Sequence, residues 1–399
     1  MKKRIYNLIF VLLGLLSLTF ISCSEDPEPS LYELVKRTGV APTITSITSS
    51  TPTALAGVSV LTINGSNFSN KVEENTVFFN GVKGTVLSAS ANKLEVKSPA
   101  TVFGDSVKIK ITVFKNENIS NTFIFSLSNP INIPYPFDPK VGDIPWAVTV
   151  RNNGDLIVSL DGKGIKRISG NTMSDFIPKG AESYWNTIKI TSSGDVYGSR
   201  NLRGIWKLQQ NTPPSTAPWS ITPTGTRVWD FDWDNNQNIW AVGNNNVIIK
   251  VKPDLSTSTY EFVANLRTVR FYNGYLYVAG VKDNREKVWR FPINASGDLG
   301  TAEDYVDLTN RYPSVIINTM TFGSDGVLYL GTNKKTDPIL EVKPDKSISD
   351  FYPGIIPASD VISFYWQGQF LYFIRKADTR DQTVIRVNML KNGAPYFGN

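Results

Sequence analysis

Six side chains suited to binding a polar ligand stand at or beside the starts of apolar strands in a repeated pattern. They are Trp146, Asn186, Trp229, Asp230, Arg267 and Asn318. Indole faces stack on the C–H faces of a sugar, while amide and carboxylate groups pair with its hydroxyls. An arginine on a buried strand needs an anionic or polar partner, because an unpaired buried charge is costly. This combination favours a carbohydrate as the ligand.

Histidine is absent from the 399 residues, and Cys23 is the only cysteine. Ser-His-Asp and Cys-His catalysis, His-ligated zinc and imidazole acid-base chemistry are therefore excluded. A reaction would have to depend on carboxylates, lysine, tyrosine or an oxygen-ligated metal. We expect a binding protein without a cofactor rather than an enzyme.

A repeat governs residues 145–399. Each unit contains an apolar strand, a polar turn and a second apolar strand, as around NNGDLIVSL and GSDGVLYLG, and continues into a third strand such as GIWKLQ. The turns align at Gly154, Gly194, Gln237, Gly274, Gly326 and Gly368, which are 37 to 52 residues apart. This period, with about four short strands per unit, is typical of β-propeller blades. Six units predict six blades.

The pieces GDLIV and DGVLYL resemble NHL and SMP-type propellers. Propellers bind ligands at one mouth of the central channel, where the loops leading into the innermost strands converge. Counting back from the aligned turns places Trp146, Asn186, Trp229, Arg267, Asn318 and Ile362 at this mouth, with Asp230 and four hydroxyl residues beside them. The sequence therefore predicts one ligand site there.

An enzymatic alternative comes from six-bladed propellers that resemble gluconolactonases and regucalcin. That family holds a divalent metal with Glu, Asn and Asp oxygens, and Asn186, Asp230 and Asn318 match part of the set. Trp146 stands where the family's glutamate is expected, so we expect no metal site. A metal-dependent lactonase or hydrolase remains a further alternative. Streptogramin lyases need a catalytic histidine and are excluded.

Residues 41–128 form a separate unit with apolar residues at alternate positions, as at Val107, Ile109 and Ile111. The stretches LTINGSNF at 61–68 and VFFNGVKG at 77–84 resemble the IPT/TIG family of immunoglobulin-like domains. The resemblance implies a β-sandwich that acts as a spacer, dimerisation unit or binding platform. The predicted fold is all-β: an immunoglobulin-like sandwich, then a six-bladed propeller. A proline-rich connector at 129–144 joins them or packs as a closing strand of the propeller.

Residues 1–22 have a basic start and an apolar run from 9 to 20, which is typical of a signal peptide and short for a membrane span. The sequence FISC at 20–23 resembles a bacterial lipobox. The resemblance implies that Cys23 carries the lipid anchor, since several acyl chains hold a protein stably on a membrane. Residues 23–40 would then be the lipidated cysteine and a flexible tether.

The acidic residues Glu25, Asp26 and Glu28 resemble the surface-export signal of lipoproteins in bacteria that harvest glycans. Removing residues 1–22 takes away three basic residues and no acidic ones, so the net charge falls from +6 to +3. Without a Lys/Arg block, nucleic acid is not an expected partner. We therefore expect an outer-membrane lipoprotein facing the cell exterior.

The predicted function is non-enzymatic binding of a glycan or glycoconjugate as an accessory to nutrient uptake. An outer-membrane transporter or barrel complex would be its protein partner. The alternative is a structural or docking subunit of such a complex, which uses the propeller face to bind protein. Likeness of fold alone does not separate these roles.

Overall fold

The computed structural model describes residues 39–243, 245–376 and 381–396. The predicted signal peptide, Cys23 and nearly all of the predicted tether lie outside these ranges. The described chain consists of β-strands and loops with two 3-10 turns, Val72–Glu74 and Pro139–Val141, which confirms the predicted all-β class. No helix in the described ranges has the length and apolarity needed to cross a membrane.

Two antiparallel four-stranded sheets form the immunoglobulin-like sandwich. The first contains, in spatial order, β1 (Thr43–Ser49), β2 (Val60–Ser66), β6 (Lys93–Lys97) and β5 (Thr85–Ser90). The second contains β4 (Val82–Lys83), β3 (Asn75–Phe79), β7 (Gly104–Val113) and β8 (Phe123–Leu127). The alternation in β7 buries Val107, Ile109 and Ile111 in the core between the sheets.

Six further sheets are the blades of the propeller, as predicted. Blade one consists of β10 (Pro145–Val150), β11 (Leu156–Leu160), β12 (Gly164–Ser169) and β13 (Thr172–Ile177). Blade two has three strands, β14 (Thr187–Ile190), β15 (Val196–Ser199) and β16 (Trp206–Leu208). Blade three consists of β17 (Asp230–Trp233), β18 (Ile239–Val242), β19 (Val247–Val251) and β20 (Thr257–Glu261). Blade four consists of β21 (Asn265–Tyr272), β22 (Tyr275–Lys282), β23 (Arg285–Pro292) and β24 (Glu303–Asp307). Blade five consists of β25 (Ile317–Phe322), β26 (Leu328–Thr332), β27 (Ile339–Val342) and β28 (Ile348–Asp350). Blade six consists of β29 (Asp360–Gln367), β30 (Phe370–Lys376), β31 (Thr383–Asn388) and β9 (Ile131–Asn132).

The first strand of each blade faces the propeller axis. Strand β10 contacts both β14 and β29, and β25 contacts both β21 and β29. Blades two and three are joined by the Thr187 hydroxyl, which donates to the Trp229 carbonyl at 3.2 Å. The inner strands therefore form a closed ring around the axis.

The proline-rich segment before the propeller supplies the outer strand of blade six. In β9, Ile131 pairs with Val387 and Asn132 with Arg386 of β31. The Asn388 N–H donates to the Pro130 carbonyl at 2.9 Å, which extends this pairing. The last blade thus combines strands from before the first blade and from the end of the propeller. The sequence had left the role of this segment open.

The aligned turns have the same backbone conformation in all six blades. Each turn residue that the repeat places in register has a positive φ, including Gly154 at 88° and Gln237 at 63°. Glycine adopts this left-handed conformation without the steric cost of a Cβ atom. The glycine spacing therefore reports a real structural equivalence between blades, and Gln237 is its strained exception.

Candidate functional site

A narrow cavity of about 40 Å³ lies on the propeller axis. Blades two to six line it, and five of the six predicted ligand-binding residues are among the lining: Asn186, Trp229, Asp230, Arg267 and Asn318. A cavity of this size admits a few water molecules, since one water needs roughly 10–15 Å³ on this measure. The body of a larger ligand must therefore lie at the mouth, where Trp229 is 38% exposed.

β-bulges direct several of these side chains. The strand register shifts between Pro145 and Ala147, between Leu266 and Thr268, between Ile317 and Thr319, and between Val361 and Ser363. The extra residues are Trp146, Arg267, Asn318 and Ile362. A bulge bends the strand and re-aims the side chain of its extra residue. Four of the positions predicted for the mouth are thus bulge residues at the same place in the inner strands of four blades.

Asp230 is a structural anchor between three blades. Its Oδ1 accepts hydrogen bonds from the Thr187 hydroxyl at 3.2 Å and the Phe231 N–H at 2.8 Å. Its Oδ2 accepts from the Thr268 hydroxyl at 2.8 Å and the Val269 N–H at 3.0 Å. Three of these donors are fully committed, and the fourth, the Thr187 hydroxyl, shares its single hydrogen with the Trp229 carbonyl. The carboxylate therefore holds neighbouring inner strands in place and keeps little acceptor capacity for a ligand.

Asp232, two residues along the same strand, is fully buried beneath Asp230. It forms ion pairs with Lys189 at 3.3 Å and with Arg270, and it accepts the Phe271 N–H at 3.0 Å. Burial by itself would raise the pKa of Asp232, but the charges of Arg270 and Lys189 and the Phe271 hydrogen bond outweigh it. The pKa of Asp232 consequently lies below its ordinary value, and the carboxylate is ionised at neutral pH.

The end of the described chain closes one side of the cavity. The Ala394 N–H donates to the Phe322 carbonyl at 2.9 Å, which directs the tail across blade five. The Tyr396 ring lies 3.4 Å from the Arg270 guanidinium and stacks on Tyr365, while its hydroxyl pairs with Thr321 at 2.8 Å. Tyr396 is thus the floor of the cavity, opposite the mouth.

Arg267 is held at the mouth by two of its nitrogens. Its Nε donates to the Ile317 carbonyl at 2.8 Å, and its Nη2 donates to Glu286. The same Glu286 oxygen accepts the Ile317 N–H at 2.8 Å. This arrangement joins blades four and five and fixes the guanidinium, with further N–H groups left over.

The side-chain amides of Asn186 and Asn318 make no hydrogen bonds with other described residues, although both line the cavity. Trp229 lies beside them with its backbone fixed, since its N–H donates to the Val242 carbonyl at 2.8 Å and its carbonyl accepts the Ser199 hydroxyl at 3.0 Å. The mouth therefore offers a positioned indole and two free amides.

Trp146 does not line the cavity with the other predicted residues. Its ring stacks on Tyr184 with centroids 4.1 Å apart, and the Lys376 amine lies 4.9 Å from its centre. The bulge in blade one thus turns its side chain toward the segment that precedes blade two. We therefore do not retain Trp146 as a cavity residue.

Lys189, Asp232, Arg270 and Tyr396 line the cavity but were not identified from the sequence. The first three follow Thr187, Asp230 and Thr268 by two residues, so strand alternation places them on the same inward face. The two-residue period of a β-strand would therefore have identified Lys189, Asp232 and Arg270 from the sequence. No comparable signal marks Tyr396, because its position depends on where the tail folds back.

The described residues contain no group of three or more acidic or cysteine side chains placed to hold a metal ion. Asp230, the one carboxylate of the partial lactonase-like set, has most of its acceptor positions taken by protein donors. The remaining members, Asn186 and Asn318, are neutral amides. This donor set is poorly suited to a hard divalent cation, which binds best to several anionic oxygens.

Residues 42–126 match the IPT/TIG domain family. This is the segment that forms the sandwich, and its strands β1 to β8 fall almost wholly within the match. The search of curated proteins finds no match to this sequence.

Solved structures share the complete two-part fold at low sequence identity. A candidate phosphatase from Bacteroides thetaiotaomicron has a TM-score of 0.57 at 11% identity, over 88% of this chain and 97% of its own. An auxiliary nutrient binding protein from the same organism has a TM-score of 0.50 at 10% identity, over 88% and 98%. A third protein from it, of unknown function, has a TM-score of 0.50 at 14% identity over the same shares. These likenesses establish the fold. Because the three proteins are described differently, the function of this protein must be argued from the residues of its own site.

Proposed function

We propose that this protein is a cell-surface lipoprotein that binds an extracellular glycan or glycoconjugate at the propeller mouth without chemical conversion. It acts as an accessory to nutrient uptake at the outer membrane. Cys23 anchors it, the sandwich raises the propeller from the membrane, and an outer-membrane transporter or barrel complex is its partner.

The observation that carries the proposal is the exposed indole of Trp229, on a backbone held by two hydrogen bonds, beside the amides of Asn186 and Asn318. An aromatic face next to unspent donors and acceptors suits the two kinds of surface that a sugar ring presents. The narrow shaft behind the mouth excludes a whole sugar ring, so recognition of the end or edge of a glycan is favoured.

The state of the carboxylates supports binding over catalysis. A general acid or base must reach the reacting group, and a nucleophile needs a free oxygen. Asp230 is engaged by three committed donors and one shared donor, and Asp232 is enclosed between two cations. The architecture shared with an auxiliary nutrient binding protein is consistent with this proposal.

A thermal-shift screen of the purified protein against oligosaccharides and divalent cations tests the proposal, because a ligand of the folded state raises the melting temperature. We expect a shift with a glycan that Trp229→Ala abolishes. A shift with calcium alone would support the metal-dependent alternative. The absence of any glycan shift, together with a stable crosslinked complex with an outer-membrane protein, would support the docking role instead.

A further inference from the structure

The two carboxylates of the cavity lining are engaged by donors of the protein itself. Asp230 accepts from Phe231, Thr268 and Val269 and shares the Thr187 hydroxyl with the Trp229 carbonyl, and Asp232 accepts from Lys189, Arg270 and Phe271. Both carboxylates therefore face donors of the protein itself. A ligand that enters the cavity finds little anionic surface to hydrogen-bond.

Arg267 is the main lining residue with N–H groups that no protein acceptor uses. A guanidinium has five N–H groups, and the protein uses one on Nε and one on Nη2. The remaining N–H groups lie on the two neighbouring Nη atoms. This is the fork that binds a carboxylate or sulfate through two parallel hydrogen bonds.

The charges in and beside the lining are balanced. Three cations line the cavity, Lys189, Arg267 and Arg270, against the two carboxylates Asp230 and Asp232. Glu286, which balances Arg267, is not part of the lining and has its Oε1 engaged by Arg267 and the Ile317 N–H. With Glu286 included, these three cations and three carboxylates balance, so an oxyanion near Arg267 would be held by directed, charge-assisted hydrogen bonds, which are stronger in a partly desolvated site than in water.

We propose that the mouth selects acidic glycans, with the oxyanion of the sugar bound by Arg267 and the sugar ring stacked on Trp229. The oxyanion is the carboxylate of a uronic acid or a sulfate ester, since both present oxygens that fit the same fork. This inference rests on the proposed glycan-binding function and adds the ligand's charge to it.

Matched glycan pairs separate the charge from the sugar. Isothermal titration compares oligogalacturonate with its fully methyl-esterified form, which keeps the ring and removes the charge. A second pair compares sulfated carrageenan oligosaccharides with the same oligosaccharides after chemical removal of their sulfate groups. We expect the acidic member of at least one pair to bind at least tenfold more tightly, with an affinity that falls as salt rises. The pair that shows this difference in affinity identifies the preferred oxyanion as a carboxylate or a sulfate.

Variants connect this preference to Arg267. Arg267→Gln is expected to abolish the difference within the responding pair. Arg290→Gln is the matched control, because it removes a positive charge from the same blade and also breaks an ion pair, with Glu303, but lies outside the cavity lining. If Arg267→Gln fails to fold, Glu286→Gln keeps the guanidinium while removing its anionic partner, and it should retain the acidic preference.

The outcomes distinguish the two proposals. Equal or tighter binding of the neutral members, lost in Trp229→Ala, overturns the acidic preference and leaves glycan binding standing. Acidic selectivity that survives Arg267→Gln also overturns the assignment to this residue. If none of the glycans binds, neither proposal holds.

Discussion

Lys189 and Asp232 belong to neighbouring blades and form an ion pair at 3.3 Å, with no part of the Asp232 side chain exposed. Arg270 from the next blade completes the pairing. One buried carboxylate therefore connects the inner strands of blades two, three and four beneath the ligand mouth.

Replacing Asp232 by Asn should destabilise the propeller by about 3–5 kcal/mol, because Arg270 would be left as an uncompensated buried charge and Lys189 would keep only its longer 3.8 Å contact with Asp230. Denaturant unfolding measures the change. Asp195→Asn is the matched control, since the Asp195–Lys207 pair is exposed and such pairs contribute about 0–1 kcal/mol. Equal effects of the two variants would contradict the structural role of Asp232.

The lowered pKa of Asp232 predicts a specific acid sensitivity. A carboxylate with a depressed folded-state pKa stabilises the fold fully above its unfolded value of about 3.9, and this contribution is lost as pH falls through the folded value. The free energy of unfolding should therefore decline below about pH 4 more steeply in the native protein than in Asp232→Asn. Parallel pH profiles of the two proteins would refute this assignment.

Trp229 and Trp146 should differ in their effect on ligand binding. With the glycan that gives the largest thermal shift, Trp229→Ala should weaken binding at least tenfold, equivalent to about 1.4 kcal/mol. Trp146→Ala should leave the affinity nearly unchanged, because that ring stacks on Tyr184 away from the cavity lining. Titration calorimetry of both variants checks the contrast, and a loss of binding only in Trp146→Ala would place the site elsewhere.

Gln237 predicts a stabilising substitution. It holds a φ of 63° at the turn where five other blades have glycine, and a side chain in this conformation costs roughly 1 kcal/mol. Gln237→Gly should therefore raise the free energy of unfolding by about that amount. Gly154→Gln is the converse test: open space surrounds that position, so its cost should come from the backbone alone. A destabilising Gln237→Gly would show that the glutamine makes compensating contacts.

Strand β9 should contribute to closure of the ring. A chain that begins at residue 133 loses the pairing of Ile131 and Asn132 with β31, along with the Pro130 hydrogen bond. At about 0.5–1.5 kcal/mol for each hydrogen bond lost, we expect a lower melting temperature than in a chain that begins at residue 129. The uncovered edge of β31 should also promote aggregation at high concentration. Identical melting and aggregation of the two chains would show that blade six closes without β9.

Local patterns in the sequence were sufficient to predict the architecture. Alternation within single strands identified the sandwich core at Val107 and Ile109, and the recurring glycines fixed the register of six blades. The same register brought Asn186, Trp229 and Asn318 to one mouth, because equivalent positions of a repeat occupy equivalent places around an axis.

Tertiary structure alone decided what these side chains do. Asp230 changed from a candidate ligand contact to a structural anchor because its partners Thr187 and Thr268 lie about 40 residues away on other blades. Trp146 shares its bulge position with Arg267, yet its ring stacks on Tyr184 from the loop that precedes blade two. Tyr396 closes the cavity over Arg270, 126 residues earlier in the chain. Such contacts form between segments that are distant in sequence, and no local period records them.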